Sequence, residues 1–388
     1  MKPLHFKIWM LMLITSVSVL AQKKVIFSES FTANNLITVI LNLENTTVAI
    51  ENSKDGEVYF DYVIEFSNYS KNDMQAFIDS IKVEAVKFEN TIKLETSSIS
   101  NISKIAYQLN SPFGLTLDDG VFKFGKSNDS IHRKSKDSLI SEIRDDDIKN
   151  TFLKNLKLLN DKGEKEDIDF SKIKMYKSKF LIKLPDFVKI KITGRQAQIT
   201  FLDNMTGEIS LNLKKGSVKS QLLSNRFSKF QLDQAGFECE AISGGDFTFM
   251  NVTDGKIGAI KNTEITSEFS KIEIGEIQDR VSITDFNGEY YFYNWSEDFG
   301  RFDFFSEYSK LYLFYPEKHD YSFKVIGNNT VNHFDNLSVT MSPTKTKNKS
   351  NMMERKAKGV GHFSGAINMD MVRGILYTSN DIFIKSKK

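Results

Sequence analysis

The chain has 388 residues, 40% of them apolar and 26% charged, which excludes a disordered chain and leaves room for two or three domains or one long repeat array. Its formal charge is +2, and Lys2 and Lys7 account for both units, so the rest of the chain is near neutral and unlike a general nucleic-acid binder. With 32 Phe and only 5 Pro, the composition points to β structure.

Residues 1–21 have the pattern of a secretory leader. Lys2 and Lys7 flank the start, Ile8-Trp9-Met10-Leu11-Met12-Leu13-Ile14 is the apolar core, and Val19-Leu20-Ala21 suits cleavage before Gln22. The apolar run is too short for a membrane span, and no later stretch approaches 18 apolar residues. The expectation is an exported chain with no transmembrane span after cleavage, residing in the periplasm, on the outer surface or in the medium.

Residues 22–125 form the first region. Leu36–Leu43 and Thr47–Ile50 alternate apolar and polar residues like half-buried strands. Asp55-Gly56 marks a tight turn before a further strand, Glu57–Phe66. Met74, Phe77, Ile78, Ile81 and Ala85 share a helical face, which predicts a helix near 73–85 with Asn72 or Asp73 at its start. Two short strands follow near Lys82–Phe88 and Thr91–Glu95, with Glu89-Asn90 as their turn.

Nearly half of residues 126–179 are charged, so this stretch reads as an insertion. Ile148, Phe152, Leu156 and Leu159 predict one amphipathic helix within 138–160. Asp145-Asp146-Asp147 lacks the spacing of a metal loop and reads as a solvated run.

From residue 180 to 316 the sequence repeats. The segments around Ser228, Ser270 and Ser309 share a frame and lie 42 and 39 residues apart, while Gly216, Gly236, Gly255 and Gly275 are spaced by 20, 19 and 20. Strands of about equal length turning at glycine corners would stack on their equivalents, which predicts a β-solenoid or β-helix. A sandwich of short hairpins is the alternative. Residues 317–388 hold further strands and a basic loop, Pro343–Gly359. That loop could meet anionic glycans or headgroups, or simply be solvated.

The chemistry of catalysis is sparse. His132, His319, His333 and His362 are scattered, and no nucleophile elbow, phosphate loop or metal-ligand spacing occurs, so no catalytic residue, cofactor or metal is assigned. Asp203 and Asp285 stand at matching places before Gly207 and Gly288, but a turn-capping Asp explains both. Cys239 is the one cysteine, so no intramolecular disulfide forms, and its neighbours Glu238 and Glu240 argue against a reactive thiol. In Tyr290-Tyr291-Phe292-Tyr293-Asn294-Trp295, strand alternation with Tyr290 and Phe292 inward places Tyr291, Tyr293 and Trp295 on one outer face. These three are the candidate ligand platform, with packing under a neighbouring segment as the other explanation.

Several of these features together resemble the adhesin-like, auto-transporter adhesin head-like β-solenoid domains of exported Bacteroidetes-type proteins. They are the leader ending Leu20-Ala21-Gln22, the strand Thr47-Val48-Ala49-Ile50, Leu184-Pro185 at the start of the repeats, and the final Asn380-Asp381-Ile382-Phe383-Ile384. The resemblance covers 180–385 and, more loosely, 30–100. The Phe content and the charged insertion depart from it. It implies a non-enzymatic surface or envelope interaction protein whose partner is an envelope protein or a glycan. The other reading of the sequence is a glycan-binding or polysaccharide-active β-helix protein.

Overall fold

The computed structural model describes residues 22–67, 69–97, 105–109, 115–117, 139–142, 156–159, 165–167, 174–297, 299–314, 321–333, 340–343, 350–355 and 365–378. The leader, Asp145–Asp147, Ile148, Phe152, His132, His319, His362, Asn380–Ile384 and most of the basic loop lie outside them. The described chain is mainly β, with a single helix and one large mixed sheet. It divides into two compact units: residues 1–28, 61–81 and 99–180 in the first, and 29–60, 82–98 and 181–388 in the second.

In the first unit the helix runs over Lys71–Asp79. Ser70 caps it, its Oγ accepting the Asp73 N–H at 3.1 Å, and Asp73 in the first turn suits the positive end of the helix. The helix ends at Ser80, whose Oγ donates to the Phe77 carbonyl at 2.6 Å. It is shorter than the pattern through residue 85 predicted. Residues from Lys82 onward belong instead to a hairpin, in which Lys82–Phe88 pairs antiparallel with Thr91–Ser97. Glu89 takes a positive φ of 49° at the turn, and Ala85 is buried as a strand residue. The apolar coincidence at i+11 was therefore a strand position.

Around the helix, Phe66, Tyr69, Phe77 and Tyr176 form one aromatic cluster, with Phe77 and Tyr176 centroids 4.4 Å apart. Tyr62 stacks on Phe180 at 4.7 Å and 6°. The charged segment also differs from expectation. Leu139–Glu142 pairs antiparallel with Ile105–Leu109, and Leu156–Leu159 pairs antiparallel with both Leu115–Leu117 and Lys165–Asp167. The predicted helical face thus dissolves where it is described, because a short apolar run fits either element and sheet partners decided it.

The second unit is governed by parallel register. Ile190 lies against Ile209, Ser210 against Lys229, Phe237 against Gly255, Gly255 against Ile272, Lys271 against Glu289, and Glu289 against Lys310. These offsets run from 17 to 21 residues. Thr38–Glu44 adds in parallel to Lys189–Phe201, and Gly365–Val372 adds in parallel to Arg301–Glu307. Alternation buries one face of each strand: Ile190, Ile192 and Ile199, then Ile209, Leu211 and Val218, then Phe230, Leu232 and Phe237. Because neighbouring strands pair in parallel, like side chains meet, and Phe230 stacks on its register partner Phe247 at 4.9 Å and 8°.

The corners correct the glycine reading. Positive φ falls on a column of non-glycine residues that register aligns: Asn45, Gln196, Lys215, Gln234, Asn251, Phe269, Asn287, Tyr308 and Arg373. The next residue is small at most of these places, as Thr46, Ala197, Gly216, Ala235, Ser270, Gly288, Ser309 and Gly374 show, with Val252 the exception. Space is the reason: a Cβ on Gly216 would lie 1.9 Å from the Ala197 carbonyl oxygen, and one on Gly288 would lie 2.4 Å from Asp285 Oδ1. Ser270 and Ser309 share this column through Gly288, whereas Ser228 stands on another with Gly245 and Thr263. The 42-residue interval between Ser228 and Ser270 therefore does not measure the stacking distance.

Candidate functional site

The strand Glu289–Trp295 carries the sequence-predicted platform. Tyr290 and Phe292 are fully buried, and Tyr291 and Tyr293 point outward, as alternation requires. Trp295 does not join them. Tyr293 and Asn294 both face out, and Trp295 is 3% exposed, so the platform of three becomes a pair. A break in alternation shared by successive strands is the cause: Ile242, Ile260, Ile277 and Trp295 align by register as one inward column. Each is preceded by two residues that escape burial, Glu240-Ala241, Gly258-Ala259, Gly275-Glu276 and Tyr293-Asn294. Inside, Trp295 packs on Phe299 and Phe302 at 5.1 and 5.3 Å, and its Nε1–H donates to the Phe314 carbonyl at 2.5 Å.

The outward tyrosines lead to residues that the sequence did not single out. Tyr291 stacks on Tyr312 at 4.4 Å and 6°, Tyr312 on Tyr377 at 4.8 Å and 9°, and Tyr377 on His333 at 4.8 Å and 7°. Each pair occupies matched positions on parallel neighbours. The ring spacing follows from the strand spacing of about 4.7–4.9 Å, so backbone register builds the ladder. Lys271 Nζ lies 5.1 Å from the Tyr291 centroid at the other end. Beside the ladder, Tyr293 stacks on Phe314 at 5.7 Å.

The hydroxyls are held by acids. Tyr291 donates to Glu289, and Tyr293 donates to Glu273 Oε2 at 3.0 Å. Burial first, and then these carboxylates, push the Tyr293 hydroxyl up to about 12 and that of Tyr291 higher still. Burial, with Glu289 nearby, also raises Tyr312. All three therefore stay protonated donors at neutral pH. Since the ring faces are spent on one another, the ladder offers edges and hydroxyls along its length.

The two candidate acids are not brought together as a reacting pair. Asp203 Oδ2 accepts the Asn52 N–H at 2.8 Å, tying two segments of the second unit. Asp285 is buried and accepts from Ser267 Oγ and Ser309 Oγ, each at 2.5 Å, and from the Gly288 N–H at 2.8 Å. The Tyr290 hydroxyl lies 2.5 Å from Ser267 Oγ in the same interior cluster. Burial raises the Asp285 carboxyl despite these donors. Cys239 is buried, and desolvation pushes its thiol up to about 12, the opposite of an activated nucleophile. Among the described residues, no three His, Cys, Asp or Glu side chains are grouped to hold a metal ion, and no helix is long and apolar enough to cross a membrane.

The site that sequence reasoning missed had a partial signal. Tyr291 and Tyr312 are offset by the same 21 residues as Glu289 and Lys310. Tyr312 and Tyr377 are 65 apart because the chain between them, which includes His333, leaves and returns before the next parallel pairing.

No protein-family model matches this chain, and no curated protein matches it. Among solved structures, one from Clostridium sporogenes named a "putative cell adhesion protein" aligns over 92% of this chain and 98% of its own, at 9% identity and a TM-score of 0.18.

Proposed function

We propose that this chain is an exported, adhesin-like interaction protein of the cell envelope or surface, without catalytic chemistry, whose second unit is a β-solenoid. The parallel offsets of 17–21 residues support the solenoid reading. The regions 22–125, 126–179, 180–316 and 317–388 are its proposed divisions, following a leader cleaved after Ala21.

The observation that carries the function is the ladder of Tyr291, Tyr312, Tyr377 and His333. Backbone register lays out one ring per strand, giving an extended face of edges and hydroxyls that suits contact with a protein surface. Tyr291 and Tyr293 belong to that contact face, and Trp295 serves the interior beneath it. A sugar that stacks on ring faces finds most of them already occupied, which places the glycan reading second for this face.

The test is on cells. Antibody labelling and protease treatment of intact cells should reach the protein, and a deletion strain should lose attachment or envelope integrity that the wild-type gene restores. A protein found only in the cytoplasm would overturn the proposal.

A further inference from the structure

A different surface of the second unit changes character along its length. At the left-handed corner column, the first members are polar: Asn45, Gln196, Lys215, Gln234 and Asn251. Further along, the corner becomes aromatic. Phe269, Phe286 and Tyr308 are 51%, 38% and 41% exposed and touch in sequence, with centroids 5.6 and 5.8 Å apart and planes near perpendicular. Phe269 and Tyr308 hold φ of 49° and 62°, a conformation that bulky side chains disfavour and that Asn251 and Asn287 adopt in the same column. The fold pays here for both strained backbone and wetted rings.

From this ridge we infer that the Phe269–Phe286–Tyr308 corner binds a neutral polysaccharide. Charge chooses the ligand. Arg373 is committed to Tyr308, with Cζ 5.5 Å from the ring centroid and NH1 donating to the hydroxyl. The acids that immediately precede the two strained aromatics are Glu268 and Glu307. Carboxylates accept hydrogen bonds from sugar hydroxyls while the exposed ring surface takes the apolar C–H faces, and the Arg373 cation offsets part of the negative charge of Glu268 and Glu307, so the ridge favours an uncharged polymer. The corner is also the outside of a bend, so a chain can lie across it, whereas a cationic side chain would not be enclosed and desolvated there. This inference does not need the tyrosine ladder or the cellular location to be as proposed above.

The test uses the full mature chain in affinity electrophoresis through gels containing xylan, mannan or mixed-linkage glucan. At least one gel should retard the native protein. The variant Phe269→Asn/Tyr308→Asn, with residues the column already accepts, should keep or raise its melting temperature and bind at least tenfold more weakly. Lys215→Asn, in the same column but away from the ridge, should bind as the native chain does. Phe286→Ser gives a second reading that leaves both strained positions untouched. No retardation in any gel, retardation undiminished in the double variant, or ridge-dependent binding to poly-lysine in place of the polysaccharides would each overturn the inference.

Discussion

One backbone column on the outer face of the second unit changes character along its length. Its earlier part alternates in sign, Lys219, Glu238, Lys256 and Glu273, and its later part is the ladder of Tyr291, Tyr312, Tyr377 and His333. The template is identical, because parallel register sets each side chain about 4.8 Å from the next. Charges at that spacing must alternate, and Lys219 meets Glu238 at 2.6 Å. Lys256 is raised by Asp254 first, with Glu273 and Glu238 adding to it. Rings at that spacing stack. The difference teaches that register supplies the geometry while side-chain chemistry decides whether a face is solvated or available for contact.

The largest effect should come from breaking the support beneath the aromatic part. Trp295→Ala removes a buried ring packed on Phe299 and Phe302 and should cost about 3–5 kcal/mol, read by chemical denaturation. A loss under 1 kcal/mol would return Trp295 to the outer face.

Next is the interior acid. Asp285→Ala removes the acceptor shared by the hydroxyls of Ser267 and Ser309 and the Gly288 N–H, at a cost of about 1–3 kcal/mol. The pH dependence has a definite sign. Because the folded protein raises this carboxyl above its ordinary 3.8, the native state holds the proton more tightly than the unfolded chain. Its contribution to stability is full below that ordinary value and declines as pH rises towards the folded value. Urea titrations from pH 4 upward should show the native chain losing stability relative to Asp285→Asn, and a native chain that gains stability relative to that variant as pH rises would contradict the assignment.

The comparison itself is sharpened by a matched pair of outer substitutions. Tyr312→Ala removes two ring stacks, each worth about 0.5–1.5 kcal/mol, and its effect should persist in 1 M salt. Glu238→Gln removes half of an exposed ion pair, worth about 0.2–1 kcal/mol, and its effect should vanish in the same salt. Equal salt sensitivity in the two would mean that the ladder is held by its carboxylates and not by its rings.

Much of this architecture was readable in the sequence. Alternation located the strands Thr38–Glu44, Thr47–Asn52 and Glu57–Ser67, the Asp55-Gly56 turn and the Lys82–Phe88 hairpin, because pleating turns a period of two directly into burial. It also placed Tyr290 and Phe292 inside and Tyr291 and Tyr293 outside. What it could not place was anything set by a neighbouring strand. Trp295 turned inward because it aligns with Ile242, Ile260 and Ile277, whose strands break alternation at the same place, and no period within one strand records that. The left-handed corner conformation fell on Phe269 and Tyr308 because register aligns them with Asn251 and Asn287, and nothing in their own stretch of sequence marks that column. Tyr377 and His333 joined the ladder only when the strand carrying Tyr377, 65 residues after Tyr312, returned in register between Tyr312 and His333. Local alternation is written residue by residue, whereas columns exist only once separate stretches of chain lie side by side, so the sequence determined the strands and the tertiary structure decided the surfaces.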